Sequence, residues 1–512
     1  MRKRVLQKVV DNMICRTRKK PIKRPRLKSL FFIVLILLFS CSRNKREENI
    51  LVRVGDRTIS VEEFKQRAEL TVRPFYCKDN SKESKRIILN SLITEKLLAL
   101  NDTLSAELRQ SQHFQAHIRG IKEQLMRRKF YDKYFYDKVS LQAEEIAHHY
   151  QMAGTSCEVH FFRLTDRKEA EQVRQHLQSE QDSLLLFNEL VVERDIPVRE
   201  VKWQDNDYAE IQNALLRNPL KPDQIVGPLE VPDGSYLLCR VVKWQHEPAV
   251  SPEEAKLRHQ KVMNHLSNLK ANQAWSEYQS ELMAGKKLVF FSETLAKLLD
   301  IVAYQSFNQK ESIRQNFNQA DTSILNYINN EENLLTLPFF KIDGKVWTVN
   351  DFKTEIMSHP LVYVDRDIST KKEFKRQFLI AIDNLIRDHY LTEKAYQKNL
   401  HKHYDVLHES HMWSDALLAR YAAKQYLKSL PEKENWQEIK RKYKHKYLSV
   451  YGDSLRKQYR NIIQVDMQKF KAINITGIDM VAVEPNVPYP LAVPQFPPYC
   501  QNGTLDYDDL IF

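Results

Sequence analysis

Cysteine and histidine are the side chains of this 512-residue sequence best suited to nucleophilic, redox or metal chemistry, and their spacing limits what each can do. Cys77, Cys157, Cys239 and Cys500 are scattered, whereas a zinc site draws on ligand pairs a few residues apart. Four thiols over so long a chain do not make a disulfide framework either. His148 and His149 are adjacent and diverge on a helix, as do His401 and His403. His408 and His411 have same-face spacing, but with no cysteine or clear carboxylate partner. No metal and no cofactor are expected. Two residues keep chemical interest: His160, inside the strand-like run Glu158-Val159-His160-Phe161-Phe162, and Cys41, at the end of an apolar stretch. A strand histidine is either a hydrogen-bonded packing residue or a group that handles protons.

Cys41 is explained by what precedes it. Residues 1–28 hold twelve basic side chains and one acid, so they carry +11 of the net +13 and leave the rest near neutral. A near-neutral body has no field for phosphate backbones, and nucleic acid is excluded as a partner. Residues 30–39 are ten consecutive apolar side chains. A spanning helix needs roughly 20, whereas a secretory core needs about 7–15 behind a positive segment. An export signal is therefore expected over 1–40, with Met1 or Met13 as its start. Its ending, Leu38-Phe39-Ser40-Cys41, resembles the bacterial lipobox, which makes Cys41 the lipidation site and the membrane a partner through acyl chains. By resemblance to lipoprotein sorting in two-membrane bacteria, Ser42 implies the periplasmic face of the outer membrane.

The mature chain reads as helices arranged around small sheets. Residues 50–60 read as strand, tight turn, strand, and Ser60-Val61-Glu62-Glu63 as a capping box that starts a helix at Phe64. The order returns at an offset of 288, where Asp343-Gly344 leads to Thr348, Val349 and Phe352. Ile382-Asp383-Asn384-Leu385-Ile386 then mirrors Leu89-Asn90-Ser91-Leu92-Ile93, so a duplicated module is read. Between the copies lies a compact α+β segment, and Ser251-Pro252 opens a long helix ended by Gly285. Six prolines between Pro485 and Pro498 make a terminal segment that lies on the surface as a belt, hangs loose, or recognises a partner. The expected fold class is α+β, mainly helical modules flanking a small antiparallel sheet. Its divisions are 1–40 signal peptide, 41–154 first helical module, 155–245 small domain, 246–334 helical linker and return strand, 335–470 second helical module, and 471–512 proline-rich tail.

In this order the stretches resemble the parvulin family of peptidyl-prolyl isomerases and, in layout, the periplasmic foldases of the SurA and PrsA kind. The residues that carry the resemblance are Val52 through Phe64, Glu158 to Phe162, and Leu220-Lys221-Pro222-Asp223-Gln224-Ile225-Val226-Gly227-Pro228 with Gly234 to Leu238. The resemblance implies a parvulin-like domain over 155–245 with His160 as one of two catalytic histidines. It puts Asp195 where the family has Cys or Asp, and Leu237 where the second histidine is expected. If His160 and Leu237 share a face, Cys157 points to the other face and Cys239 does not, so no bridge between them is expected.

Prolyl isomerisation has a barrier of about 18–20 kcal/mol, lowered by a dry site that binds the twisted amide best. Half of the histidine pair is missing. Glycine is also scarce, 10 residues where average usage of about 7% gives roughly 36. The domain is thus expected to be degenerate. Helical modules suit a cradle for unfolded or extended polypeptide clients, with Phe75, Tyr76, Phe130, Tyr131, Tyr134, Phe135, Trp413 and Tyr426 as candidate lining, and Phe130, Tyr134 and Trp413 foremost. Three readings stand: a lipid-anchored chaperone with reduced or absent isomerase activity, a working prolyl isomerase, and a structural envelope lipoprotein that binds a folded partner through its tail.

Overall fold

Alternating apolar residues and one turn glycine shape the first element. β1 (Ile50–Val54) and β2 (Arg57–Ser60) form a hairpin whose turn residue Gly55 has φ +59°, the left-handed conformation glycine adopts without strain. α1 (Val61–Glu69) follows directly, its Glu63 N–H capped by Ser60 Oγ at 2.9 Å. The reciprocal half of the expected capping box is absent. The Glu63 carboxylate turns inward, 3.0 Å from Lys96 Nζ. α2 (Lys82–Leu100), expected to be amphipathic, is buried on every side. Ile88, Leu89, Leu92 and Ile93 are fully buried, each contributing about 1.5–3 kcal/mol, so packing rather than propensity holds this helix.

The computed structural model describes residues 49–179, 198–205, 208–232, 234–308, 332–363, 370–430 and 436–505. The expected signal segment, Cys41 and Asp195 lie outside them. The described chain is α+β, mostly helical with small antiparallel sheets. Its described residues divide into two compact units, one formed by those up to 115 together with those from 411 on, the other by those within 116–410.

α3 (Gln112–Tyr134) carries the chain into the second unit. There β3 (Thr155–Leu164), α4 (Arg167–Ser179), β4 (Val198–Lys202), β5 (Ile225–Glu230) and β6 (Tyr236–His246) build a four-stranded antiparallel sheet in the order β4-β3-β6-β5. α5 (Pro252–Met283) starts at the predicted Ser251 cap, which accepts from Glu254 N–H, and its 32 residues span about 48 Å. β7 (Val289–Phe290), β8 (Pro338–Ile342) and β9 (Lys345–Thr348) form a second sheet, and α6 (Val349–Ser358) follows it. The hairpin-then-helix order of β1, β2 and α1 is thus repeated by β8, β9 and α6. Here the capping box is complete, Thr348 and Asp351 each accepting from the other's backbone N–H. α7 (Lys371–Gln397) packs its Phe374, Phe378, Ile382 and Leu385 into this core.

α8 (Tyr404–Ser429) leads back to the first unit. β10 (Ile463–Val465) pairs with β1, Val465 opposite Val52, and completes a sheet of order β10-β1-β2. The proline-rich segment behaves differently from a loose belt. Tyr489, Val493, Phe496, Tyr499 and Cys500 are buried, and Phe496 and Tyr499 join the core cluster of Phe64, Leu92 and Ala419. Proline removes backbone donors, and side chains reach in to satisfy the carbonyls: Arg67 donates to Gln495 O at 3.0 Å and Asn90 to Thr504 O at 2.8 Å.

Candidate functional site

Antiparallel partners directly opposite one another share a face of the sheet, so the register decides what surrounds His160. His160 stands opposite Val198 on β4 and Arg240 on β6, whereas Leu237 stands opposite Arg163. His160 and Leu237 therefore point to opposite faces, which corrects the expected shared face; an odd offset along a strand is enough to reverse it. Leu237 packs with Val159, Cys239 and Val241 in one cluster. His160 alternates onto the other face, where Phe162, Leu164 and Leu238 are filled by Ala170 of α4.

The group that the fold brings opposite His160 is a guanidinium. Arg240 Nε lies 3.5 Å from Asp223 Oδ1, on a turn where Asp223 N–H donates to Val241 O at 2.7 Å. His160 Nδ1 is buried and finds no hydrogen-bond acceptor or donor among the described residues.

The same register corrects the cysteine expectation. Cys157 and Cys239 lie on one face after all. Cys239 is opposite Phe161, four residues or about 13 Å along β3 from Cys157, well beyond the Cα span of a disulfide. Both are free thiols. Burial pushes them up to about 11 and about 12 respectively, so neither supplies thiolate near neutral pH.

A second constellation is aromatic. Phe130 and Tyr134 are four residues apart on α3, on one helix face, with ring centroids 4.9 Å apart. Trp275 and Tyr278, three apart on α5, meet them: Phe130 lies 6.0 Å from Trp275 and 5.7 Å from Tyr278, and Phe135 lies 5.0 and 5.2 Å from the same rings. Phe130 is the buried centre, while Tyr134, Phe135, Trp275 and Tyr278 are half-buried around it. Tyr131 Oη donates to Asn272 Oδ1 at 2.7 Å and fixes the edge. Lys133 and Lys398 Nζ each stand 5.7 Å from the Tyr134 ring, within cation–π range. Burial raises the Tyr278 hydroxyl above the ordinary tyrosine value, and burial followed by Asp132 raises that of Tyr131, so both rings stay neutral donors.

Phe130 and Tyr134, two of the three residues expected foremost to line a client cradle, are thus brought together. Trp413 is half-buried in the other compact unit. Trp275 and Tyr278 were legible only as an i, i+3 pair on a helix otherwise rich in charge. A cleft of ≈ 250 Å³ lies beside the end of α5, between Met283, Lys286, Ile342 and Asp383. Its lysine is drawn away to Asp343 at 2.6 Å, and Asp343 also accepts from Tyr390 Oη at 2.7 Å.

No family model matches the chain, and no curated protein matches it. Among solved structures it is similar to the foldase protein PrsA from Streptococcus pneumoniae str. Canada MDR_19A. The identity is 13% and the TM-score 0.21, and the match covers 44% of this chain and 88% of that one.

Proposed function

We propose that the protein is a lipid-anchored chaperone of the cell envelope, of the parvulin-foldase type, that holds unfolded secreted or outer-membrane polypeptides with isomerase activity reduced or absent. The observation that supports the reading is the aromatic surface where α3 meets α5. A buried Phe130 braces four half-buried rings, and such rings give large contact area to many sequences at small cost in side-chain entropy. The cations beside Tyr134 add attraction for acidic or aromatic groups of a client. Acyl chains on Cys41 keep this surface at the periplasmic face of the outer membrane.

The test is suppression of aggregation of an unfolded client. A Tyr134→Ala/Trp275→Ala variant is expected to need at least about thirtyfold more protein for equal protection, since truncating each interface aromatic costs about 1–2 kcal/mol. Undiminished protection with an unchanged fold removes the basis of the reading.

Isomerase activity is weighed separately. Twisting a prolyl amide calls for hydrogen bonds aimed at it inside a dry cup, and on the His160 face the opposing side chain is Arg240 while Phe162 and Leu238 pack beneath α4. A protease-coupled peptide assay is expected to find His160→Ala within about twofold of the parent. Turnover lost with the imidazole means a working isomerase instead.

A further inference from the structure

Away from the aromatic surface, six apolar side chains stand out of the first unit where two of its segments meet. Val72 and Phe75 are 64% and 88% exposed, and Ile478, Met480, Val481 and Val483 are between 52% and 71% exposed. The segments are bonded to one another. Met480 N–H donates to Glu69 O at 3.0 Å, Arg73 Nε to Asp479 Oδ1 at 2.9 Å, and Arg73 Nη2 to Thr476 O at 2.7 Å.

Nor is the outward aim of Phe75 slack. It opens the 3₁₀ turn Phe75–Cys77, in which Cys77 is fully buried and Tyr76 packs on the core. The later segment is tied by the Val483–Leu491 bridge, with Glu484 N–H donating to Pro490 O. Apolar exposure gathered on two segments that are hydrogen-bonded to one another marks an interaction surface.

We infer that this patch rests on the bilayer to which Cys41 is anchored, inserting Phe75 and its neighbours among the lipid headgroups. The inference rests on the acylated Cys41 proposed above. Seven residues lie between Cys41 and Asn49, and the eight Cα-to-Cα steps make a tether of at most about 28 Å. Asn49 O accepts from Val61 N–H at the start of α1, and α1, about 13 Å long, ends just before Val72. The patch is therefore within reach of the plane that holds the anchor. Asp479 is paired with Arg73 and with Lys78 at 3.2 Å, and the Glu69 carboxylate accepts from Thr476 N–H at 2.8 Å, so these charges keep their partners at the interface. Insertion is apolar and does not call for anionic lipid.

The experiment uses the full, acylated protein in phosphatidylcholine vesicles. Phe75→Cys is labelled with an environment-sensitive fluorophore, a selective step because Cys77, Cys157, Cys239 and Cys500 are buried. Brominated acyl chains are expected to quench this label, and one at Met480→Cys, by about twofold or more, a depth reached by interfacial side chains. A label at Val450→Cys, 63% exposed in the same unit but in neither patch segment, is the comparison and is expected to be quenched less than the residue-75 label. A protein that floats with the vesicles while its residue-75 label stays unquenched overturns the inference and leaves the anchor standing. So does a label that responds only to added unfolded client or to raised protein concentration, which gives the patch to a client or a second copy. A protein that does not float overturns the anchor, and the inference falls with it.

Discussion

Arg67→Ala is expected to destabilise the unit built from both ends of the chain by about 3–5 kcal/mol, the usual cost of removing one partner from a buried ion pair. Arg67 is fully buried, and its Nη1 and Nη2 donate to both Glu95 oxygens at 2.8 and 2.7 Å. Burial, the largest single influence, pulls the guanidinium toward the neutral form, but Glu95 with Glu63 and Tyr499 beyond it together raise the pKa, so the charge is kept. The pair belongs to a chain of buried charges. Lys96 Nζ sits 3.0 Å from Glu63 and 3.2 Å from Asp415, and Asp415 also faces Arg57 at 3.5 Å. Alanine at 67 strands the Glu95 carboxylate and orphans the Gln495 carbonyl. The double variant Arg67→Met/Glu95→Leu leaves neither charge behind and is expected to lose far less. Urea unfolding of the two variants decides the matter. A single variant that melts with the parent, or a double variant that is the weaker of the two, refutes the account.

These buried ions explain what the sequence left hidden. Lys, Arg and Glu are read as surface residues unless a partner is in view. The partners here are 28 to about 360 residues away, beyond any local periodicity. By contrast the local devices were legible. The Gly55 turn, the Ser60, Ser251 and Thr348 caps and the repeated hairpin-and-helix order all depend on residues within a few positions of one another. Three-residue β10 was not, because so short a run carries no alternation and its pairing to Val52 spans the whole chain. His160 shows the intermediate case. Its strand was plain, yet β3 and β6 slip past each other at a bulge between Glu158 and Val159. Facing is a property of register, which two isolated strands do not specify. Half of the aromatic site was legible through the Phe130–Tyr134 spacing, and the other half waited on the packing of α5 against α3.

A chain ending at residue 483 is expected to lose the cooperative folding of the first unit, where a surface belt predicts no effect. Tyr489, Val493, Phe496, Tyr499 and Cys500 are each at most 8% exposed. At about 1.5–3 kcal/mol for each large apolar side chain buried, their sum is comparable to the roughly 5–15 kcal/mol that holds a typical domain together. Polar losses add to this. Gln501 N–H donates to Ser449 Oγ at 3.1 Å, Asn502 Nδ2 to Asp453 Oδ2 at 2.9 Å and Arg456 Nη2 to Cys500 Sγ at 3.5 Å, so helix Trp436–Gln458 loses its cover along with the core. A chain ending at Leu505 keeps all of these contacts, and comparison with it separates loss of packing from mere shortening. Limited proteolysis and near-ultraviolet circular dichroism report the difference. Should the chain ending at 483 keep the parent's transition and lose only the capture of a folded partner, the proline-rich segment is a recognition arm. If instead the transition disappears, the prolines hold an extended strap against α2, with Arg67 and Asn90 donating to the strap's carbonyls.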